Sequence, residues 1–326
     1  MSKTSSRLLI FLLSLALLLA GCGGQQNTQP AQPEQPKADA SAPAGDVRVI
    51  EHAMGKTEVK GTPERVVILT NEGTEALLAL GVKPVGAVKS FTGNPWYDHV
   101  KAELDGVEIV GLESELNLEA IAKLKPDLII GNKMRQEKQY TQLSAIAPTV
   151  FSETLRGDWK ENFKLYSKAV NKEDKGKEVL SAFDARIDTF KETFKDKLGL
   201  KVSVVRFMPG KTRIYFKDTF TGVIFNQIGL ARPDSQNKEE FADELTKERI
   251  KEMDGDIMFY FTYEKGDGKG NQTEQEWVND PLFQSLEVVK NKKAFKVDDV
   301  IWNTAGGVKA ANLMLDELTK YYTDLK

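Results

Sequence analysis

The chain has 326 residues but only one cysteine and two histidines. A single cysteine excludes a disulfide framework and a thiolate metal cluster, and two histidines argue against a histidine-rich metal site. Excess positive charge is also lacking: 45 lysines and arginines face 48 aspartates and glutamates, which argues against nucleic-acid binding through bulk charge. The sequence contains no Gly-x-Ser-x-Gly, His-Glu-x-x-His or P-loop motif, so common hydrolase, zinc-protease and nucleotide-binding signatures are missing as well.

The N-terminus has the features of an export signal. Lys3 and Arg7 precede an apolar run over residues 8–19, which is shorter than the roughly 20 residues that a membrane span needs and is typical of a signal peptide. The run ends in Leu19-Ala20-Gly21-Cys22, which resembles a bacterial lipobox. We therefore expect residues 1–21 to be a lipoprotein signal peptide, and Cys22 to carry the lipid that anchors the chain outside the cell membrane.

The segment after the cysteine differs from the rest of the chain. Residues 23–45 are rich in Gln, Pro, Ala and Gly and have almost no large apolar side chain. Such a composition cannot bury enough surface to fold. Residues 22–46 are therefore predicted to be a disordered tether.

From Val47 onward, β-branched runs alternate with helical patterns, which predicts an α/β fold of parallel strands covered by helices. The alternation is interrupted by a long helical pattern over residues 171–198, with one apolar stripe. A coiled-coil dimer is the alternative, but the stripe covers few heptads. We predict two Rossmann-like lobes, residues 47–170 and 199–326, joined by this single helix, with residues 294–302 as the last strand.

Four arginines lie at or near the ends of predicted strands: Arg135, Arg156, Arg206 and Arg213. Ligands of open α/β sheets bind beyond the carboxyl ends of the strands, and a guanidinium presents a planar fork to anionic oxygens. For any one of these arginines, a solvated surface charge is the alternative. As a group drawn from both lobes, they predict a site for an anionic ligand.

Other candidates carry weaker signals. Lys89 and Tyr215 lie at strand margins, and Trp302 precedes the small-residue loop 303–307, although aromatic side chains also pack beneath loops. Glu119 and Glu248 each open a short helix that leads into an apolar strand, a position that acids also occupy because of the helix dipole. We interpret Asp298-Asp299 as solvated, and the glycine-rich residues 265–271 as a surface loop.

Taken together, the lipobox, the two lobes, the long helix and the two glutamate-led segments resemble the class III substrate-binding proteins of iron–siderophore ABC importers. The resemblance covers residues 47–326. Segments 131–135, 152–159, 205–210 and 300–307 are similar to lipoproteins that bind ferric citrate-hydroxamate siderophores of the schizokinen and arthrobactin type.

The resemblance implies a receptor that is not an enzyme and has no cofactor. The siderophore, and not the protein, would coordinate iron in a shallow basic cleft between the lobes, and the receptor would act as a monomer with an ABC permease and its ATPase. Glu119 and Glu248 would dock to permease arginines. The ligand-binding residues implied are Lys89, Arg135, Arg156, Arg206, Arg213, Tyr215 and Trp302.

Two alternatives stay open. A haem or cobalamin carrier of the same fold is one, and haem would need an axial ligand, for which Tyr97 and His99 are the candidates. The other is a lipid-anchored hydrolase, which would need a nucleophile–base pair that no motif in the sequence provides.

Overall fold

Two five-stranded sheets organise the protein, whose computed structural model describes residues 46–155 and 157–325. The predicted signal peptide, Cys22, nearly all of the tether, and Arg156 lie outside the described residues. Within these residues, no helix has the length and apolar character needed to cross a membrane.

The first half contains the N-terminal sheet, in which β3 is central and all neighbours run parallel, in the order β5-β4-β3-β8-β9. Its central strands are apolar and buried on both faces, as parallel strands covered by helices must be. The strands are β1 (Val47–His52), β2 (Gly55–Lys60), β3 (Val66–Ile68), β4 (Gly86–Ala87), β5 (Glu108–Ile109), β6 (Gly111–Leu112), β7 (Glu115–Leu116), β8 (Leu128–Asn132) and β9 (Thr149–Ser152). The helices are α1 (Asn71–Ala79), α2 (Leu118–Lys123), α3 (Lys133–Gln136), α4 (Tyr140–Ser144) and α5 (Trp159–Ala169), with a 3-10 turn at Glu137–Gln139.

The long helix is α6 (Glu173–Thr193), followed by a 3-10 turn at Lys195–Lys197. Phe183, Ile187, Phe190 and Phe194 from the predicted stripe are buried. They belong to one apolar core that contains side chains from both five-stranded sheets. A continuous core of this kind opposes large hinge motion, because opening it would expose apolar surface to water.

The second half contains the C-terminal sheet, ordered β12-β11-β10-β13-β14. It is mixed rather than wholly parallel, because the turn at Pro209-Gly210 pairs β10 and β11 as an antiparallel hairpin. The strands are β10 (Val202–Met208), β11 (Lys211–Tyr215), β12 (Ala242–Glu244), β13 (Ile257–Thr262) and β14 (Ala294–Lys296). The helices are α7 (Phe220–Ile228), α8 (Lys269–Val278), α9 (Pro281–Gln284), α10 (Glu287–Lys290) and α11 (Val308–Asp324), with 3-10 turns at Asp234–Gln236 and Lys247–Met253.

These features confirm the α/β fold with two sheets and a long helix between them. The predicted last strand is wrong beyond Lys296, because residues Val300–Thr304 form a π-helical turn. Asp298 accounts for the change: its carboxylate accepts hydrogen bonds from the backbone N–H groups of Val300 and Ile301, which caps a helical turn and ends the strand.

Candidate functional site

A cavity of about 270 Å³ is lined by residues from both halves of the chain. Three of its side chains follow or end buried strands: Glu72 follows β3, Arg135 follows β8, and Arg206 lies in β10. The cavity thus occupies the place where open α/β sheets bind ligands. The full lining consists of Glu72, Phe91, Glu113, Arg135, Leu155, Arg206, Met208, Phe220, Phe241, Tyr263, Asn303, Thr304, Ala305 and Gly306.

Arg206 is held rigidly from the C-terminal side. Its Nε and Nη2 donate to the two carboxylate oxygens of Asp299 at 2.6 and 3.0 Å, and its Nη1 donates to the Tyr215 hydroxyl at 3.0 Å. The guanidinium also stacks on the Tyr263 ring at 4.9 Å. A guanidinium has five N–H donors, so these contacts leave two N–H groups for a ligand.

Arg135 is held more loosely on the opposite side of the cavity. Its side chain is 44% exposed and donates one long hydrogen bond, 3.3 Å from Nε to Glu113 Oε2. Among the described residues this is the only hydrogen bond of the guanidinium, so it leaves the two Nη groups of the fork unbonded. Arg135 is therefore free to turn its fork towards an incoming anion.

Glu113 is the buried partner of Arg135. Its Oε1 accepts hydrogen bonds from the Asn71 backbone N–H at 2.7 Å and from Asn71 Nδ2 at 2.9 Å. Burial raises the pKa of Glu113, while these bonds and the Arg135 charge act in the opposite direction.

Glu72 is a second buried carboxyl in the cavity wall. Its Oε2 accepts a hydrogen bond from the Tyr166 hydroxyl at 3.1 Å. No ion pair joins it to a lysine or arginine among the described residues, and burial raises its pKa to about 8. The neutral acid is accordingly the favoured form of Glu72 at pH 7.

The cavity is therefore not simply basic, as the resemblance implied. Each of the two arginines in its described lining faces a carboxylate, Glu113 for Arg135 and Asp299 for Arg206. The expectation that Asp299 is solvated is also wrong, because its carboxylate is buried and pairs with Arg206.

Of the remaining predicted ligand residues, Arg156 lies outside the described residues, and the other four do not line this cavity. Arg213 pairs at 2.8 Å with Glu244, which lies directly opposite it on β12. Tyr215 is buried behind Arg206, and Lys89 is half-buried with its backbone N–H bonded to Gly111. Trp302 is wholly buried because the π-helical turn directs its indole into the core, where Nε1 donates to Glu317 at 2.6 Å.

The two predicted docking residues have equivalent settings. Glu119 lies in the first turn of α2, and Glu248 in the first turn of the 3-10 helix Lys247–Met253, and both are exposed. Within the described part of the chain, neither forms a salt bridge that would neutralise its carboxylate. Hydrogen bonds to Thr246 and to the backbone lower the pKa of Glu248.

The sequence interpretation missed the cavity residues Glu72, Glu113 and Tyr263, and also Asp299, the buried partner of Arg206. Glu72 and Tyr263 could have been found, since each follows an apolar strand as the arginines do. Glu113 and Asp299 gave no such signal, because they lie in loops whose course depends on tertiary packing. In the part of the chain that the structure describes, no group of three or more His, Cys, Asp or Glu residues could hold a metal ion.

The candidate haem ligands lie elsewhere in the structure. His99 Nε2 lies 2.5 Å from Glu75 Oε1, and Tyr97 is buried. Neither lines the cavity that Arg135 and Arg206 share.

Comparison with known proteins agrees with this architecture. Residues 66–300 match the periplasmic binding protein family. A probable siderophore-binding lipoprotein of Bacillus subtilis, YfiY, is 48% identical over 335 residues, covering 100% of both chains. The Fe(3+)-citrate-binding protein YfmC of the same organism is 31% identical, covering 98% of each chain. The crystal structure of Staphylococcus aureus SirA complexed with staphyloferrin B is 38% identical, with a TM-score of 0.79 over 85% of this chain and 98% of that chain.

Proposed function

The chain belongs to the periplasmic binding protein family, and we propose that it is a lipid-anchored extracytoplasmic receptor that binds a ferric siderophore and delivers it to an ABC permease. The single observation that carries this proposal is the meeting of Arg135 and Arg206, from opposite sheets, in one cavity. The names of the relatives, a siderophore-binding lipoprotein and a complex with staphyloferrin B, point to the same class of ligand.

The arginines and the aromatic residues would contact different parts of the ligand. The two spare N–H groups of Arg206, together with the loosely held Arg135 fork, suit carboxylate or hydroxamate oxygens at the surface of the chelate. Phe91, Phe220 and Tyr263 supply apolar wall against which hydrocarbon arms can pack. Iron stays coordinated by the siderophore, so the protein needs no metal ligand of its own.

The cavity volume of about 270 Å³ lies just below the usual range for ligand sites, about 300–1,000 Å³. A siderophore would therefore lie partly outside it, which fits a shallow cleft. The continuous core between the sheets is consistent with only slight closure around the ligand.

Within this function, we propose a citrate-hydroxamate siderophore of the schizokinen or arthrobactin type as the ligand, on the resemblance of segments 131–135, 205–210 and 300–307. Cys22 would carry the lipid anchor. Glu119 and Glu248 would meet the permease, which works with its ATPase, and the receptor would act as a monomer.

Ligand titration tests the proposal. Purified full-length protein is titrated separately with ferric schizokinen, haemin and cobalamin while tryptophan emission is followed. We expect saturable quenching by ferric schizokinen and none of comparable affinity by the other two. Saturable binding of haemin or cobalamin without the ferric siderophore would establish the alternative carrier function, and binding of none of the three would refute the proposal.

A further inference from the structure

Glu72 occupies an unusual position for an acid in a site that receives anions. It lies in the first turn of α1, its side chain is buried, and it forms part of the cavity wall. Oε2 accepts from Tyr166, whereas Oε1 is buried and has no hydrogen-bond partner among the described residues. Six polar or charged side chains face Glu72. Tyr166 and Asn162 come from α5, Glu113 from the loop before β7, and Glu75 from the same helix as Glu72. Arg135 and Arg206 lie across the cavity.

A chain of hydrogen bonds connects Glu72 to the N-terminal sheet. Asn132 Nδ2 donates to Ser152 Oγ at 2.8 Å, Ser152 Oγ lies 2.7 Å from the Tyr166 hydroxyl, and that hydroxyl lies 3.1 Å from Glu72 Oε2. A tyrosine hydroxyl both donates and accepts, so Tyr166 can donate to an ionised Glu72 or accept from the neutral acid. The contact therefore accommodates both protonation states of Glu72.

Among the described residues of the cavity, no cation is left to balance a charged Glu72. Arg135 and Arg206 already face Glu113 and Asp299, so these four groups sum to zero charge when all are ionised. Ionising Glu72 would bring the five groups to a net charge of −1 beside two other buried acids. Burial and the neighbouring acids accordingly raise the pKa of Glu72 to about 8.

We propose that Glu72 is a specificity-determining residue that couples ligand charge to protonation: while neutral it admits an anionic ferric complex, and its ionisation weakens binding. This inference rests on the proposed function. A bound anion favours the protonated form of a neighbouring acid, so binding takes up a proton at pH values where free Glu72 is ionised. Because the described charges of the cavity already balance, the cavity should favour ferric complexes of low net negative charge.

The test compares ferric schizokinen affinity from pH 6.5 to 9 in the full-length protein and in two variants. Glu72→Gln removes the titrating proton while preserving side-chain size. Glu317→Gln is the matched control, since burial raises the pKa of that carboxyl too but it lies outside the cavity and bonds to Trp302. We expect the wild-type affinity to fall by up to about tenfold between pH 7 and pH 9, the Glu317→Gln affinity to fall equally, and the Glu72→Gln affinity to stay constant.

A flat wild-type profile, or the same slope in Glu72→Gln, would overturn the inference while leaving siderophore binding established. Failure of the wild type to bind at any pH would instead refute the proposed function. Calorimetry of the wild type at pH 8 in buffers of different ionisation enthalpy provides a measurement that does not depend on the variant's folding. Proton uptake on binding is expected, and no uptake would contradict the inference.

Discussion

Arg206 donates two hydrogen bonds to a single carboxylate, that of Asp299, and both side chains are buried at the edge of the cavity. The Tyr215 hydroxyl holds a third N–H group of the same guanidinium. The orientation of the fork is therefore fixed before any ligand arrives, which reduces the entropy lost on binding. Tyr215, predicted to touch the ligand, would on this geometry act through Arg206.

Replacement of Arg206 should weaken ligand binding strongly. We expect Arg206→Ala to reduce ferric schizokinen affinity by about 1–3 kcal/mol, or roughly 5- to 150-fold. Arg206→Lys should restore little, because an ammonium cannot reproduce the planar fork. Fluorescence titration measures both, with Arg249→Ala as the control because that arginine pairs with Asp243 and Glu252 outside the cavity. Wild-type affinity in Arg206→Ala would remove this residue from the site.

Arg135→Ala should also weaken ligand binding. The ligand loses a charge-assisted contact of about 1–3 kcal/mol, and buried Glu113 loses the positive charge that lowers its pKa. Loss of that charge should raise the pKa of Glu113 further, because burial then acts without its charged partner. Fluorescence titration of the variant with ferric schizokinen measures the loss of affinity, and wild-type affinity would remove Arg135 from the site.

Removal of the two exposed glutamates should separate transport from binding. The Glu119→Ala, Glu248→Ala double variant should keep ligand affinity and folding, since neither side chain lines the cavity, yet iron uptake by cells should be abolished. Uptake of radioactive iron supplied as ferric schizokinen is the measurement. Glu178→Ala with Glu192→Ala, two exposed acids on α6, is the matched control. Normal uptake in the first double variant would refute the docking role.

Glu72→Gln should stabilise the fold at alkaline pH. The ordinary pKa of a glutamate is 4.5, and the folded protein raises that of Glu72 to about 8. Folding must therefore take up a proton between these values, so wild-type stability falls as pH rises from 4.5 to 8. Urea unfolding at pH 8 should show a free energy of unfolding about 1–3 kcal/mol higher in the variant than in the wild type. Each unit of difference between the folded and unfolded pKa contributes about 1.36 kcal/mol. The cost of burying the amide is subtracted from that sum. At pH 4 the variant should be no more stable than the wild type, and an advantage that persists there would show that proton linkage is not its cause.

The sequence predicted those parts of the site that follow from the positions of strand ends. Arg135 and Arg206 were identified because side chains at carboxyl ends of strands converge in an open α/β sheet, and the cavity does contain both. The stripe through Phe183, Ile187 and Phe190 likewise predicted the buried face of α6, since helical periodicity is a local property.

Pairing partners and side-chain directions were beyond sequence reasoning because they depend on distant segments. Arg213 lies opposite Glu244 only because β12 adds to the edge of the C-terminal sheet. Asp299 becomes a buried partner, and Trp302 a core residue, because Asp298 caps a π-helical turn where the sequence suggested a continued strand. Such contacts come from tertiary packing, which no local pattern encodes.

The most direct test of the account is a crystal structure of the protein with bound ferric schizokinen. The account predicts that the chelate occupies the cavity lined by Arg135, Arg206 and Tyr263, with guanidinium N–H groups of both arginines within hydrogen-bond distance of its oxygens and no protein atom coordinating iron. A chelate bound at another surface, or held through iron coordination by a protein side chain, would contradict it.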